Sequence, residues 1–242
     1  MVKVSSPHLR NLGIASLLLL TEPAAAATLS YDAGLGTLPE AQGWTRSEGG
    51  PVAPTPTVSG GSLHQGPTST SGFQYWNSFA SAFNFATGTV TVDMRLQVVS
   101  SSFNAYPRGG YTVFMADSQG RFASLYISSG SVFLGNDTEV SVSSIQSFDS
   151  TDGFHDYHLV IDGTGSALSI DGNPIVSMAL GATGSSPSQV AFGDGTILGN
   201  NESLLASFSI SGVTLTVVPE PVSLGLLTVG LAGLGISRRR RG

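Results

Sequence analysis

The densest group of side chains that could do chemistry is the stretch DGFHDYH, residues 152–158. It contains two carboxylates, Asp152 and Asp156, and two imidazoles, His155 and His158. A metal site needs such side chains to converge on one point. On a strand, the two histidines point to opposite faces because they are three residues apart, whereas Asp156 and His158 share a face. The predicted arrangement is a hairpin entry with solvated polar residues, and a calcium ion bound by Asp152 and Asp156 is the alternative. No metal or cofactor is predicted.

Catalytic groups are harder to find. The glutamates between the two ends of the chain are scattered, at Glu40, Glu48, Glu139 and Glu202. No G-x-S-x-G element occurs, and no Gly-rich stretch has the strand-to-helix context of a phosphate loop. Cys is absent, which excludes thiolate chemistry. From these absences the sequence predicts a protein without enzymatic activity.

Aromatic residues offer a different kind of chemistry, because an exposed ring can stack on a sugar. Trp44, Trp76 and Tyr106 are the candidates for glycan stacking. The neighbouring Tyr75 and Trp76 place one ring on each face of a strand, so at most one of them reaches solvent. The favoured interpretation is that these rings fill the core, and stacking on a sugar is the alternative.

The elements that must position these side chains are strands. In TVTVDMRLQV, residues 89–98, apolar and polar residues alternate at period two, which predicts a half-buried strand. Residues 110–128 predict two strands around a turn at 117–120, and SVFLGND, residues 131–137, predicts another short strand. Asp162-Gly163 and Asp171-Gly172 suit hairpin turns with positive φ. Residues 49–72, rich in Gly, Pro, Ser and Thr, predict a long loop with one short strand, with His64 in the flexible loop.

Composition agrees with an all-β fold. Gly is frequent, at 31 of 242 residues, and charged residues are only 11%. Because turns with short strands recur about every ten residues, and no convincing helix interrupts them, we predict a two-sheet antiparallel jelly-roll sandwich.

Between Thr28 and Val218 there are four Arg and no Lys against ten Asp and four Glu, a net charge of −10. An acidic body of this kind argues against nucleic-acid binding.

The N-terminus has the three parts of a secretory signal peptide. Lys3 and Arg10 are basic, residues 12–20 are apolar and too short to span a bilayer, and Ala25 and Ala27 are small. We predict a signal helix over residues 1–27, with signal peptidase as a partner and cleavage after Ala27.

The C-terminus has an apolar run, Val222 to Ile236, that ends in an arginine cluster. As a helix these fifteen residues cover about 22 Å, short of a bilayer core of about 30 Å. The arginines would hold the C-terminus in the cytoplasm, so the body would lie outside. We expect a short transmembrane helix here. The cluster consists of Arg238, Arg239, Arg240 and Arg241.

The order of Pro219, Glu220 and Pro221, then the apolar run, then the arginines, resembles the PEP-CTERM sorting signal of Gram-negative bacteria. The resemblance covers about 24 residues. It implies that an exosortase-type enzyme recognises and removes the segment, and that Glu220 is a recognition residue rather than a catalytic one. It also implies a transient stay in the inner membrane, then the cell surface or an extracellular matrix linked to exopolysaccharide.

Residues 154–175 are similar to the hairpins of concanavalin A-like and laminin G-like jelly rolls. The resemblance rests on an aromatic opening, a β-branched strand, Asp162-Gly163, a second strand and Asp171-Gly172. These families include lectins, adhesion modules and glycoside hydrolases. The hydrolases carry their acids as Glu-x-Asp-x-x-Glu on one strand, with the carboxylates about 5 Å apart, and this chain has no such spacing.

The sequence therefore predicts three parts: a signal peptide (1–27), a concanavalin A-like sandwich (28–216) and a sorting signal (217–242). The predicted function is that of an exported, non-catalytic surface or matrix protein with a structural, adhesive or glycan-binding role. Its predicted partner is an extracellular polysaccharide. The alternative is a secreted polysaccharide-processing hydrolase or lyase.

Overall fold

The structure is a computed structural model that describes residues 26–50, 54–66, 72–78, 81–103, 110–136, 142–182, 188–194 and 199–215. This part of the chain is almost entirely β-structure, with two short 3₁₀ helices, Ala33–Leu35 and Pro39–Gln42. No helix in the described part of the chain is long and apolar enough to cross a membrane. The predicted signal helix and C-terminal helix lie outside the described residues, apart from Ala26 and Ala27. The strands are β1 (Ala26–Asp32), β2 (Thr45–Gly49), β3 (Thr57–Ser59), β4 (Ser62–Gln65), β5 (Phe73–Ser78), β6 (Ser81–Ala82), β7 (Val90–Phe103), β8 (Tyr111–Ala116), β9 (Arg121–Ile127), β10 (Ser131–Gly135), β11 (Gln146–Ser147), β12 (His155–Ile161), β13 (Gly165–Ile170), β14 (Asn173–Ala179), β15 (Gly181–Ala182), β16 (Gln189–Asp194) and β17 (Gly199–Leu215).

The strands form two antiparallel sheets, as the alternation of the sequence predicts. Sheet I has the order β14-β13-β12-β7-β17-β4-β3, and both β1 and β6 also pair with β17. Sheet II has the order β11-β10-β9-β8-β16-β5-β2, and β15 pairs with β9. The all-β, two-sheet prediction is confirmed.

The core lies between the sheets and follows the strand register. In sheet II, Leu134, Leu125, Val113, Phe192 and Trp76 stand side by side across five neighbouring strands, because each is the register partner of the next. All five are at most 1% exposed. From sheet I, Phe208 stacks on Phe192 with ring centroids 4.6 Å apart. A fully buried side chain of this size contributes about 1.5 to 3 kcal/mol, so this contact is a main source of stability.

Strand β7 confirms the clearest sequence prediction. The five apolar residues of its alternating run are at most 3% exposed and belong to the core, while the residues between them face outward; Val99, just after the run, is 38% exposed. Strand β7 therefore lies at the centre of sheet I, between β12 and β17. The apolar set is Val90, Val92, Met94, Leu96 and Val98.

The two hairpin turns predicted at Asp-Gly pairs have different outcomes. Asp171 and Gly172 both have positive φ, 51° and 78°, as predicted for the hairpin between β13 and β14. Gly163 is not among the positive-φ residues. The turn between β12 and β13 is instead held by the Asp162 carboxylate, whose Oδ1 accepts hydrogen bonds from Thr164 N at 2.7 Å and Thr164 Oγ1 at 2.6 Å. That side-chain turn is the alternative open to Asp where backbone strain is not needed.

The region 49–72 contains more strand than predicted. Strands β3 and β4 form a hairpin around Gly60 and Gly61, which have φ of 58° and 77°. Strand β4 also pairs with β17 and places His64 in the sheet, where its Nε2 lies 3.0 Å from Glu202 Oε1. The prediction that His64 lies in a flexible loop is wrong. The glycines that indicated a loop form instead the tight turn of a hairpin between two short strands.

Candidate functional site

The two candidate calcium ligands do not come together. Asp152 Oδ1 lies 2.7 Å from His155 Nε2, while Asp156 binds Arg95 Nη1 with both oxygens, at 3.0 and 3.1 Å. Asp156 lies at an outward position of β12, opposite Arg95, whereas Asp152 lies in the bend before that strand. Each carboxylate thus has a basic partner of its own. In the described part of the chain, no group of three or more His, Cys, Asp or Glu side chains could hold a metal ion.

His155 is instead bridged by two carboxylates. Its Nδ1 lies 2.7 Å from Asp171 Oδ2, opposite the contact with Asp152. Burial acts to lower the pKa of His155, but the two carboxylates outweigh it and raise the pKa overall. The pKa of Asp171 is lowered, first by the hydrogen bond from the Asp156 backbone N–H and then by His155. The cluster ties the entry of β12 to the β13–β14 turn.

Two of the three candidate glycan-stacking residues are buried. Trp76 is 0% exposed and Trp44 is 4% exposed. The Trp44 ring packs edge-on against Phe192 at 4.7 Å and against Phe208 at 5.6 Å, in the middle of the core. Neither ring has a free face for a sugar, so these two residues are not the stacking candidates that they were taken for; they fill the core, which was the favoured interpretation of the aromatic residues. Tyr106 lies outside the described residues.

The glutamates come closer to one another than the sequence suggests. Arg46 Nε lies 3.2 Å from Glu40 Oε1 and 3.6 Å from Glu48 Oε2, so these two oxygens are at most about 7 Å apart. The other oxygen of Glu40 accepts a hydrogen bond from Trp76 Nε1 at 3.1 Å. The pair lies at the β2 edge of sheet II with a guanidinium between its members. Glu139 lies outside the described residues.

The outer face of sheet II, turned away from the core, is the most unusual surface of the described structure. Several of its apolar side chains are 6% exposed or less, yet they do not belong to the core between the sheets. Phe114 packs edge-on against Phe122 at 4.2 Å, and Tyr126 stacks on Phe133 at 4.8 Å. Phe73 and Tyr75, half-buried, meet at 5.6 Å. We call these six rings the aromatic face: Phe73, Tyr75, Phe114, Phe122, Tyr126 and Phe133.

Near the middle of the aromatic face, the register produces a slot along β16. Thr112, Gly193 and Tyr75 are partners in one row across β8, β16 and β5. In the next row, on the same side, Phe114, Ala191 and Asn77 are partners. The slot therefore has a floor of glycine and alanine. Each wall has one aromatic ring and one polar side chain, and the two walls are two strand spacings apart, about 10 Å. We call these six residues the β16 slot.

Glycine at 193 is required by the backbone. Its φ is +125°, a conformation that other residues rarely adopt, and a Cβ there would lie 2.9 Å from Gln74 O and from Tyr75 Cα. At Gly193 the floor of the slot therefore consists of backbone alone, with no side chain above it.

Polar atoms in and beside the slot have no partner. Asn77 Oδ1, Thr112 Oγ1 and Ser124 Oγ are buried, and none has a hydrogen bond within the structure. Ser124 on β9 is the register partner of Phe114, so it extends the second row by one strand. Buried polar atoms without partners cost about 1 to 3 kcal/mol each, so three of them on one face need an explanation such as a bound molecule. Among the described outward residues of sheet II there is no Asp, Glu, Lys, Arg or His.

The sequence analysis missed most of the aromatic face. Strands β8 and β9, YTVFMA and RFASLYI, are apolar at nearly every position. Such runs indicate a strand that is buried on both sides rather than one side. That signal was present, but the strand rhythm alone did not show what the second side would pack against.

Comparison with known proteins shows the fold. No protein-family model matches the sequence, and no curated protein matches it. A conserved carbohydrate esterase from the Shiga toxin-encoding bacteriophage phi24B is 14% identical, with a TM-score of 0.55 over 78% of this chain and 99% of that one. A protein with a galectin-like fold from Bacillus subtilis is 10% identical, with a TM-score of 0.52 over 76% and 96%. The fold is a concanavalin A-like, galectin-like jelly roll.

Another solved structure extends the range of functions found on this fold. The Crh5 transglycosylase is 12% identical, with a TM-score of 0.51 over 78% of this chain and 85% of that one. At these identities the likeness establishes the arrangement of strands only. The function must be argued from the site.

Proposed function

We propose that this protein is an exported, non-catalytic component of the cell surface or extracellular matrix, and that it binds an uncharged polysaccharide on the aromatic face. The observation that carries the proposal is the β16 slot, with Tyr75 and Phe114 as walls and orphan oxygens at Asn77 and Thr112. A sugar ring has apolar C–H faces and a rim of hydroxyl groups. Aromatic rings can stack on the apolar faces of the sugar. The oxygens of Asn77 and Thr112, which have no hydrogen-bond partner in the structure, can form hydrogen bonds with its hydroxyl groups.

The absence of charge among the described residues of this face supports a neutral ligand. Uronic acids would need a cation, and amino sugars with a free amine would need a carboxylate. The esterase and the transglycosylase that share the fold carry carbohydrate-related names, which also supports a glycan as the ligand.

An array of neutral and uronic-acid oligosaccharides, probed with the purified protein, tests the proposal. We expect binding to at least one neutral oligosaccharide and none to the uronic acids. An array without neutral binders would sink the glycan-binding proposal. Retention of the protein in the extracellular matrix would then be the measure of a purely structural or adhesive role.

We further propose that the two ends of the chain deliver the protein to this location. The signal peptide ending at Ala27 would lead export, and Pro219, Glu220 and Pro221 with the arginine cluster would direct exosortase-type sorting through the membrane. Cell fractionation of the intact chain and of a chain truncated at Val218 tests this. We expect the truncated chain to lose its surface or matrix location while still being exported, and an unchanged distribution would contradict the sorting role.

The second candidate is a polysaccharide-processing hydrolase or lyase, and the Glu40–Glu48 pair is the observation that favours it. Two carboxylates within about 7 Å fall in the range that glycosidases use. However, Arg46 binds both, and the pair lies off the aromatic face. Release of reducing ends from the host's own polymer by the wild-type protein, lost in Glu40→Gln and Glu48→Gln, would establish the enzyme and replace the non-catalytic proposal.

A further inference from the structure

The strands at the edges of the two sheets differ in how they are protected from pairing with another chain. The two strand orders end at β3 and β14 in sheet I and at β2 and β11 in sheet II. Strands β3 and β11 are three and two residues long, and β2 carries the charges of Arg46 and Glu48. Short or charged edges of this kind are poor templates for a further strand. Strand β14, NPIVSMA, has seven residues and no charge, so it is the edge best suited to pairing.

Only the second half of β14 is open in this way. Its first half contains Pro174, which has no N–H, and a bulge at Ile175, where the register with β13 shifts. After Ala179 the chain leaves sheet I, because β15 pairs with β9 in sheet II. The open edge therefore covers residues 175–179, and Ser177 is its centre.

The hydrogen bonds of the β12–β13 turn show which backbone groups of β14 face outward from the edge. Gly165 O accepts a hydrogen bond from Asp162 N, so the backbone groups of Gly165 face β12. Successive residues of a strand turn their N–H and C=O groups to opposite sides, so those of Ser166 face β14. Ser166 is the partner of Met178, whose groups therefore face β13. The N–H and C=O of Ser177 must then point away from β13, along the open edge.

The neighbours of Ser177 on that side are less available. Ala179 O also points away from β13, and it accepts a hydrogen bond from Asn136 Nδ2 at 2.9 Å. Ile175 is the bulged residue, so its groups are out of the regular pattern. In the described part of the chain, β13 is the only strand that pairs with β14, and the Ser177 side chain is exposed. The pairing groups of this edge are thus centred on Ser177.

The side chains beside Ser177 fit a second copy of the same strand. Val176 and Met178 point toward the core between the sheets, but each is only partly buried against it. If two copies pair antiparallel about a twofold axis at Ser177, Val176 lies opposite the partner's Met178, and Met178 lies opposite the partner's Val176. Both half-buried side chains gain an apolar neighbour in this way, and the two serines face each other across the axis.

Charge also favours a second copy as the partner. The body of the protein carries a net charge of −10 between Thr28 and Val218, so two copies repel each other over most of their surface. A neutral strand is where two such copies can approach most closely, and it offers nothing to a partner that recognises charge. We propose that β14 is the contact between two copies of this chain, joined by twofold antiparallel pairing in which each Ser177 exchanges both backbone hydrogen bonds with its equivalent.

Sedimentation equilibrium of the purified protein, from about 1 μM to about 500 μM, tests this proposal because a single-edge contact gives a weak dimer. We expect a monomer–dimer equilibrium for the wild type. Ser177→Lys and Ser177→Glu each place two like charges opposite each other on the axis, so each variant alone should associate about fivefold more weakly. An equimolar mixture of the two variants should regain the wild-type association, because opposite charges then meet. The control is Ser209→Lys, which adds the same charge at an outward position of β17 in the middle of sheet I and should dimerise as the wild type does.

Three results would overturn the proposal. The first is a wild-type protein that stays monomeric up to about 500 μM, which needs no variant to fold. The second is association that is equally strong in the wild type and in both variants at Ser177, which would place the contact elsewhere. The third is a mixture of the two variants that associates no better than either one alone, which would contradict the twofold pairing. None of these measurements contains a glycan, so this proposal and glycan binding by the aromatic face fail separately.

Discussion

The outer faces of the two sheets are opposites. On sheet I, most outward side chains of β1, β7, β12 and β17 are polar or charged, although Val160 and Leu204 also face outward, and pairs such as Asp93 with His158 are about half exposed. On sheet II, the outward side chains are aromatic or small, and most are buried. A sandwich needs only its inner faces for folding. The second apolar face of sheet II is therefore the feature on which the proposed binding function rests.

Among the described residues, each sheet carries an Arg–Asp ion pair, and the loss of these two pairs should have the most different effects on stability. Asp117, 0% exposed, accepts hydrogen bonds from Arg121 and from the backbone of Phe85, which ties the β8–β9 turn to the segment before β7. We expect Asp117→Ala to lower the free energy of unfolding by about 3 to 5 kcal/mol, because the guanidinium keeps no partner for its charge. Denaturant unfolding measures this loss.

The matched control is Asp156→Ala, since the Asp156 side chain is 65% exposed beside Arg95. It should lose less than about 1 kcal/mol, because solvent screens an exposed pair. Equal losses in the two variants would contradict the contrast between the sheets.

Truncating a ring of the aromatic face should come next in size. Phe133 is 1% exposed and stacked on Tyr126, although it lies outside the core. We expect Phe133→Ala to lose about 3 kcal/mol, as for a core phenylalanine. Ser209→Ala, at an outward position of β17 in sheet I, should stay within about 0.5 kcal/mol. A Phe133→Ala protein as stable as wild type would mean that the aromatic face is not packed.

The floor of the β16 slot gives a smaller but sharper test. Gly193→Ala forces a side chain into positive φ and against the Gln74 carbonyl, which should cost about 1 to 3 kcal/mol. Gly153→Ala is the control, because a Cβ there meets nothing within 4 Å and its φ is not positive. Urea unfolding of both variants measures the difference, and equal stabilities would show that β16 does not need glycine in the slot.

The smallest effect expected is a pH dependence at the edge of sheet I. The pKa of His155 is raised in the folded protein, so its contribution to stability is full below its unfolded pKa and is lost as pH rises through its folded pKa. The unfolding midpoint of wild type should therefore fall between about pH 6 and pH 8 more than that of His155→Gln. Asp152→Asn should also reduce the fall. Identical pH profiles in all three proteins would contradict the role of the two carboxylates.

Alternation predicted the inner faces well, because period two is imposed by the backbone and by one buried side. It placed β7 correctly and separated Tyr75 from Trp76, and the strands predicted within residues 110–128 and 131–137 are β8, β9 and β10. It could not tell which face of a strand is inner when both are apolar, as in β8 and β9. Alternation likewise placed Tyr75 and Trp76 on opposite faces without showing which face is inner, so Trp76 was a stacking candidate although the ring that faces outward is Tyr75.

The slot itself depends on which strands are neighbours. Thr112, Gly193 and Tyr75 are far apart in sequence, and only the order β8-β16-β5 places them in one row. The hydrogen bond from Gln65 on β4 to Gln74 on β5 depends in the same way on two sheets meeting. No local pattern encodes such pairings, since each requires the whole topology.

The affinity of the protein for the neutral oligosaccharide that binds best on the array tests the central claim most directly. Calorimetry should compare wild type, Tyr75→Ala on the aromatic face and Ser209→Ala on the polar face. Losing one stacking ring should weaken binding by about tenfold, while the polar-face variant binds as wild type does. An affinity unchanged by Tyr75→Ala, or lost in Ser209→Ala, would show that the glycan does not bind on the aromatic face.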